Sequence, residues 1–211
     1  MRKRFLLTAI IFAAGVCGTS GIFANLYAQQ PKPPGNWPAA KPAWPNPQDW
    51  MDGVNKRLEK LKAAPQPGPD VENILARIAD LTEQMKKLKD DPFRFGRYLA
   101  ATNALMDAAD KILWARKIDP APQNFDYWGA SFVLQGCYFR VKQADYFSNM
   151  SGAKKSDQYV KLSRRLYQQG RGAYDAKEYQ RARLLGDAST SIVFALECLA
   201  QAGTSDPHIY R

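Results

Sequence analysis

Histidine is nearly absent from this chain of 211 residues, which holds only one, His208, close to its C-terminal end. A metal site built from several imidazoles, or a catalytic triad that uses histidine, therefore cannot form within one chain. Cysteine is scarce as well: Cys17, Cys137 and Cys198 are far apart in the sequence. Such isolated cysteines do not form a zinc cluster, which needs several ligands at short spacings.

The sequence also lacks the motifs that mark common enzyme families. It has no GxxxxGK[ST] phosphate loop, no GxGxxG or GxSxG motif and no CxxC pair. Asp107 and Asp110 lie one helical turn apart and could pair as acid and base, but the adjacent Lys111 favours a solvated helix face. The sequence therefore predicts a protein that is not an enzyme and that carries no metal or cofactor.

Strand patterns are missing too, because no segment alternates polar and apolar residues or contains β-branched runs. Helical patterns fill the rest of the chain, so we expect an all-α fold with about five to six helices in a bundle. The expected organisation is a signal peptide or membrane anchor at 1–28, an extended tether at 29–47, a short amphipathic helix at 48–63, an all-helical domain at 70–203 and a tail at 204–211.

The N-terminal segment MRKRFLLTAIIFAAGV has the composition of an export signal. Arg2, Lys3 and Arg4 precede an uncharged run at 5–16. Three interpretations stay open: cleavage after Ala28, an uncleaved anchor, or lipid attachment at Cys17. Each of them exports the body of the protein, which predicts a periplasmic or membrane-tethered location on the extracytoplasmic side.

A proline-rich segment follows, and residues 31–47 read PKPPGNWPAAKPAWPNP with seven prolines. Proline holds φ near −65° and donates no backbone hydrogen bond, so an extended spacer is expected. The alternative is that the Trp37-Pro38 and Trp44-Pro45 pairs dock into a groove of a partner protein.

A heptad pattern marks the next helix. Its a and d positions are Val71, Ile74, Ile78, Leu81, Met85 and Leu88. This seam either forms a homodimeric coiled coil through 71–88 or packs inside the chain's own bundle. A later helix is apolar on nearly all sides from Tyr127 to Phe139, and we expect it to be the central, buried helix.

The last two predicted helices, near 157–175 and 178–202, are joined so closely that they must form an αα-hairpin. At Leu166, Gly170, Ala173, Tyr179 and Ala182, residues 159–202 resemble a single tetratricopeptide repeat, in which small residues let two helices approach. The resemblance implies a protein-interaction surface. Gly186 departs from the pattern, because the family has a bulkier aromatic residue there, and the sequence contains no second copy.

Two sets of side chains on the hairpin are candidate partner-binding residues. The aromatic set is Tyr174 and Tyr179, and the basic set is Lys161, Arg164, Arg165, Arg171, Arg181 and Arg183. The basic set fits the overall charge of +10, which favours anionic partners. Anionic lipid or a cell-wall polymer suits an exported protein, whereas nucleic acid is not expected because no stacking platform accompanies the charges.

Three functions from different classes remain open at this point. The first is an exported accessory or assembly subunit that binds another envelope protein through the hairpin. The second is a polyanion or anionic-membrane binder that uses the basic residues. The third is a structural protein that self-associates through 71–88.

Cys137 and Cys198 also have two interpretations. In an oxidising compartment an even pair often forms a disulfide, which is the first. The second is that each is a small buried hydrophobic residue, because both lie in apolar helical stretches.

Overall fold

The structure is a computed structural model that describes residues 46–122, 126–151 and 156–204. These residues form six α-helices with no strand among them, which confirms the predicted all-α bundle. The helices are α1 (Pro47–Lys62), α2 (Gly68–Lys87), α3 (Pro92–Lys117), α4 (Tyr127–Ser151), α5 (Ser156–Asp175) and α6 (Tyr179–Gly203). The predicted export signal, both Trp-Pro pairs and His208 lie outside the described residues.

Side-chain caps followed by proline start two of the helices. The Asn46 side chain accepts a hydrogen bond from the backbone N–H of Gln48 at 3.0 Å, and Pro47 opens α1. The Asp91 side chain accepts one from the backbone N–H of Arg94, also at 3.0 Å, and α3 follows. Each cap satisfies a donor that has no partner within its own helix.

The central helix of the bundle is α6, which packs against α3, α4 and α5. Small residues make this central position possible, because Ala182, Gly186, Ala188 and Ala195 are buried and let the neighbouring helices approach closely. The prediction that the helix beginning at Tyr127 is central was wrong. Only one side of that helix, α4, is buried.

The heptad seam of α2 packs inside the chain. Val71, Ile74, Ile78, Leu81 and Met85 are all buried, and α2 lies against α3. A homodimer through 71–88 would have to displace α3 from this seam. The structure therefore matches the intramolecular interpretation. The apolar stripe that a homodimer would need is already buried against α3 of the same chain.

A tight turn joins α5 to α6. The backbone N–H of Glu178 donates to the carbonyl of Ala173 at 2.8 Å, and Lys177 adopts a φ of 63°. The two helices return on each other as an antiparallel hairpin, and the Ser189 hydroxyl donates to the carbonyl of Ser163 at 2.7 Å. The αα-hairpin expected from the short connection is thus present.

Candidate functional site

Three tyrosines from different helices meet where the hairpin turn lies beside the start of α4. The ring centroids of Tyr174 and Tyr179 are 5.4 Å apart, and Tyr127 lies 5.6 Å from the first and 5.7 Å from the second. We call these three residues the tyrosine cluster. The pKa of Tyr174 is raised, mainly by a hydrogen bond with the Tyr127 side chain and to a smaller extent by burial. Sequence reasoning selected two members of this cluster and missed Tyr127.

A row of exposed aromatic side chains continues from the cluster along α4. Trp128 is 82% exposed, Phe132 78%, Phe139 60% and Tyr146 59%. Gln135 and Lys142 fill the two positions between Phe132 and Tyr146 on the same side of the helix. We call these six residues the α4 face. Trp128 connects it to the tyrosine cluster, since its ring lies 5.4 Å from that of Tyr127.

The opposite side of α4 holds the helix firmly on the bundle. Its buried residues are Ala130, Leu134, Cys137, Val141, Ala144, Phe147 and Ser151. Both sides of α4 are therefore apolar, and this is why the sequence suggested a helix buried all round. A signal for the exposed side exists in the sequence, namely the alternating spacing of four and three from Trp128 to Tyr146, but only the packing shows which side is covered.

A groove of about 370 Å³ lies between α4 and α5, next to the α4 face. Aromatic and polar side chains line it, among them Tyr138, Tyr167, Tyr174, Gln135 and Arg171. The ring centroids of Tyr138 and Tyr167, two of its lining residues, are 6.1 Å apart, and their ring planes are tilted by 47°. The groove widens the aromatic surface from α4 onto the hairpin.

Most of the predicted basic residues bind carboxylates of the chain itself. Arg164 pairs with Asp145, Arg165 with Asp70, Lys161 with Asp157, Arg181 with Glu178 and Arg183 with Asp126. The sixth, Arg171, lines the groove described above.

The carboxylate partners of five of these residues lie on several parts of the chain, so most of the six are members of ion pairs and not free charges. Arg164 points to α4 and Arg165 to α2, although the two are neighbours in the sequence. A cation that is paired with a carboxylate attracts a polyanion less than an unpaired cation does, because the two opposite charges largely offset each other at a distance. The structure therefore gives more support to the aromatic set than to the basic one.

Asp107 and Asp110 both form ion pairs with the same arginine, Arg57. Arg57 of α1 donates to Asp107 at 2.6 Å and to Asp110 at 2.7 Å. Burial lowers the pKa of Arg57, but hydrogen bonds and charge attraction from the two carboxylates outweigh it and the pKa is raised. The pair thus fastens α1 to α3, which agrees with a structural interpretation of these carboxylates.

The two described cysteines are free thiols, each 1% exposed. The thiol of Cys137 on α4 contacts the side chains of Ser189 and Thr190 on α6. Cys198 follows Ser189 by two and a half turns of α6, about 13 Å at a rise of about 1.5 Å per residue. A disulfide needs Cα atoms about 4.4–6.8 Å apart, so the structure does not join these two residues.

No group of histidine, cysteine, aspartate or glutamate among the described residues is arranged to hold a metal ion. Within the same residues, no helix has both the length and the hydropathy that a membrane crossing requires. Comparisons of the chain with protein families, with curated proteins and with solved structures each found no match. The geometry of the aromatic surface is therefore the basis for the functional proposal.

Proposed function

We propose that the protein is an exported, non-catalytic interaction module whose α4 face, together with the tyrosine cluster, binds protein. One observation carries the proposal: four large aromatic side chains stand exposed in a row on a helix whose other side is fixed in the core. Large aromatic residues are enriched in protein interfaces and dominate their binding energy.

The size of the surface supports this proposal. An aromatic side chain carries about 150–250 Å² of surface, so the four residues together expose roughly 500 Å². The largest apolar patch on a typical monomer is about 300–600 Å² and is often functional. The α4 face is therefore a patch of the size at which a binding role is expected.

The rigidity of α4 adds further support. Leu134, Cys137 and Val141 hold the helix against the bundle, so the exposed rings project from a fixed backbone. Aromatic side chains have few rotatable bonds, and ordering them on binding costs little conformational entropy. A partner would thus meet a surface that is already arranged.

The experiment is an affinity capture of the full chain, tagged at its C-terminus in its native host and washed at low and high salt. We expect a protein partner that survives high salt and that is lost from the double variant Phe132→Ala/Phe139→Ala. Trp114→Ala is the matched control, because Trp114 is a large aromatic residue that is 64% exposed on a different helix, α3. Capture that disappears at high salt and depends on Arg171 instead would contradict the proposal and favour a polyanion binder.

A further inference from the structure

The α4 face has the spacing of a coiled-coil seam. Its six positions are 128, 132, 135, 139, 142 and 146, which alternate in steps of four and three. This is the a and d pattern by which one helix packs along another. In the bundle the opposite side of α4 meets α5 and α6, so the seam is left exposed.

We propose that the α4 face binds the same face of a second copy of the chain, with the two α4 helices antiparallel about a two-fold axis at the level of Cys137. This inference rests on the proposed function and names its partner. A two-fold interface must be self-complementary, because every contact occurs twice. The seam meets that requirement, since its six positions are symmetric about residue 137.

The side chains that this symmetry brings together are chemically suited to each other. Trp128 of one copy lies opposite Tyr146 of the other, an aromatic pair. Phe132 lies opposite Lys142, a cation–π pair. Lys142 already lies over a ring in the single chain, with its Nζ atom 5.4 Å from the ring centroid of Tyr138. Gln135 lies opposite Phe139 at the centre.

The centre of the seam has room for a second helix. Gly136 is exposed, and a Cβ atom added there would meet nothing within 4 Å. A residue without a side chain beside Gln135 leaves space for the ring of Phe139 from the other copy. The bulky residues Trp128 and Tyr146 stand at the two ends of the seam, where the antiparallel arrangement places them side by side.

The exposed aromatic area is close to that of the smallest specific interfaces. Two copies of the α4 face bring about 1,000 Å² of aromatic surface together, and the rims would add to it. Specific protein interfaces begin at about 1,200 Å² in total. The four aromatic residues alone thus supply most of the area that a stable pair requires.

The charges beside the seam favour a second copy over a membrane. Asp126 pairs with Arg183 at 3.5 Å, and ion pairs also join Asp145 to Arg164 and Glu197 to Arg140. These three pairs are neutral, and Lys142, which is in none of the ion pairs of the described residues, would face the ring of Phe132 from the other copy, so two copies can approach although the chain carries +10. Anionic lipid would instead favour a larger cluster of unpaired lysine and arginine than Lys142 and Arg171 provide beside the aromatic residues.

The first measurement is the oligomeric state of the full chain by sedimentation equilibrium. We expect a monomer–dimer equilibrium. Its dissociation constant should be at least ten times larger in Phe132→Ala/Phe139→Ala and unchanged in Trp114→Ala. Circular dichroism and thermal unfolding check that the double variant is folded, which its exposed positions favour. A wild-type chain that stays monomeric at about 100 µM would overturn the inference.

Cysteine cross-linking tests the antiparallel register. In this arrangement the two copies of residue 136 are offset by about 3 Å along the helix axis, and those of residue 143 by about 18 Å. We expect Gly136→Cys to form a disulfide-linked dimer under mild oxidation, whereas Gln143→Cys, one heptad further on the same side, does not. Equal cross-linking of both variants would mean parallel helices and would overturn the proposed pairing.

Combining these readouts with affinity capture separates the two proposals. If the chain is monomeric and Phe132→Ala/Phe139→Ala still loses a captured protein, the second copy is wrong and the interaction module stands. Binding of the monomer to anionic vesicles through the α4 face would likewise overturn the dimer. If the double variant changes neither capture nor sedimentation, both proposals fail.

Discussion

The side chain of Leu134 on α4 packs directly against the backbone of α6 at Gly186. A Cβ atom built on Gly186 would lie 3.3 Å from the Cδ2 atom of Leu134 and 3.0 Å from the Cγ1 atom of Val133. The same leucine contacts Gly170 on α5, where an added Cβ would lie 3.1 Å from it. Leu134 thus closes the junction of three helices, and this explains why glycine occupies the position where the tetratricopeptide resemblance expects an aromatic residue.

Gly186→Leu should destabilise the fold. The new side chain has no space beside Val133 and Leu134, and overpacking of this kind costs about 1–3 kcal/mol. Gly172→Leu is the matched control, because a Cβ added there meets nothing within 4 Å and the helix gains up to about 1 kcal/mol of propensity. Urea unfolding should show a lower midpoint for the first variant only. Equal midpoints would mean that α4 does not pack closely on α6.

The ion pair between Asp70 and Arg165 should respond differently to removal of each partner. The Asp70 side chain is 12% exposed, whereas that of Arg165 is 50% exposed. Arg165→Met leaves a buried carboxylate without its partner, which costs about 1–3 kcal/mol. Asp70→Asn leaves an arginine that can turn to water, so a smaller loss is expected. Chemical unfolding of the two variants and their combination measures this difference, and equal losses would contradict it.

Arg57→Met should loosen α1. The variant removes the contacts to Asp107 and Asp110 that fasten this helix to α3. Exposed pairs are worth up to about 1 kcal/mol, so amide hydrogen exchange within α1 should become about two to five times faster. Exchange in α6 should stay the same. Lys56→Met, at an exposed position on the same helix, is the control and should change neither helix.

Both described thiols should resist alkylation in the native protein. Burial raises the pKa of Cys137 and raises that of Cys198 to about 11, and thiolate is the reactive form. Mass spectrometry after brief alkylation at pH 8 should find both unmodified in the folded chain and both modified in urea. Recovery of a peptide pair linked through Cys137 and Cys198 from the untreated protein would refute the assignment of free thiols.

Stability should fall at alkaline pH. Burial raises the pKa of Cys198 from 9.0 to about 11 and that of Tyr159 from 10.0 to about 12. The folded state keeps both groups neutral, while the unfolded chain loses these protons at lower pH. Their contribution to stability is therefore full below pH 9 and is lost as the pH rises through 9 to 12.

Urea unfolding at pH 8 and 10.5 measures this loss. Cys198→Ala should reduce the difference between the two pH values by about 2 kcal/mol, because it removes a thiol whose pKa rises from 9.0 to about 11 on folding. An unchanged pH dependence in this variant would show that the Cys198 thiol does not contribute.

Local patterns were sufficient to predict several parts of the fold. The caps at Asn46 and Asp91, each followed by proline, determine where two helices begin, since a cap acts on donors only two or three residues away. The hairpin could be predicted as well, because two helices joined by a connection as short as the one near Lys177 must turn back on each other. Tyr174 and Tyr179 could be selected because both lie beside that turn.

Contacts between distant parts of the chain decided the rest. Arg164 and Arg165 look alike in sequence, yet their carboxylate partners lie 19 and 95 residues away, and neither partner can be read from the helix itself. α4 is apolar on both sides, and periodicity alone cannot say which side its neighbours cover. The sequence by itself therefore determined the helices, because their signals act over a few residues. Only the tertiary structure decided that α6 occupies the centre and that Trp128, Phe132, Phe139 and Tyr146 face outward, because burial depends on how the helices pack together.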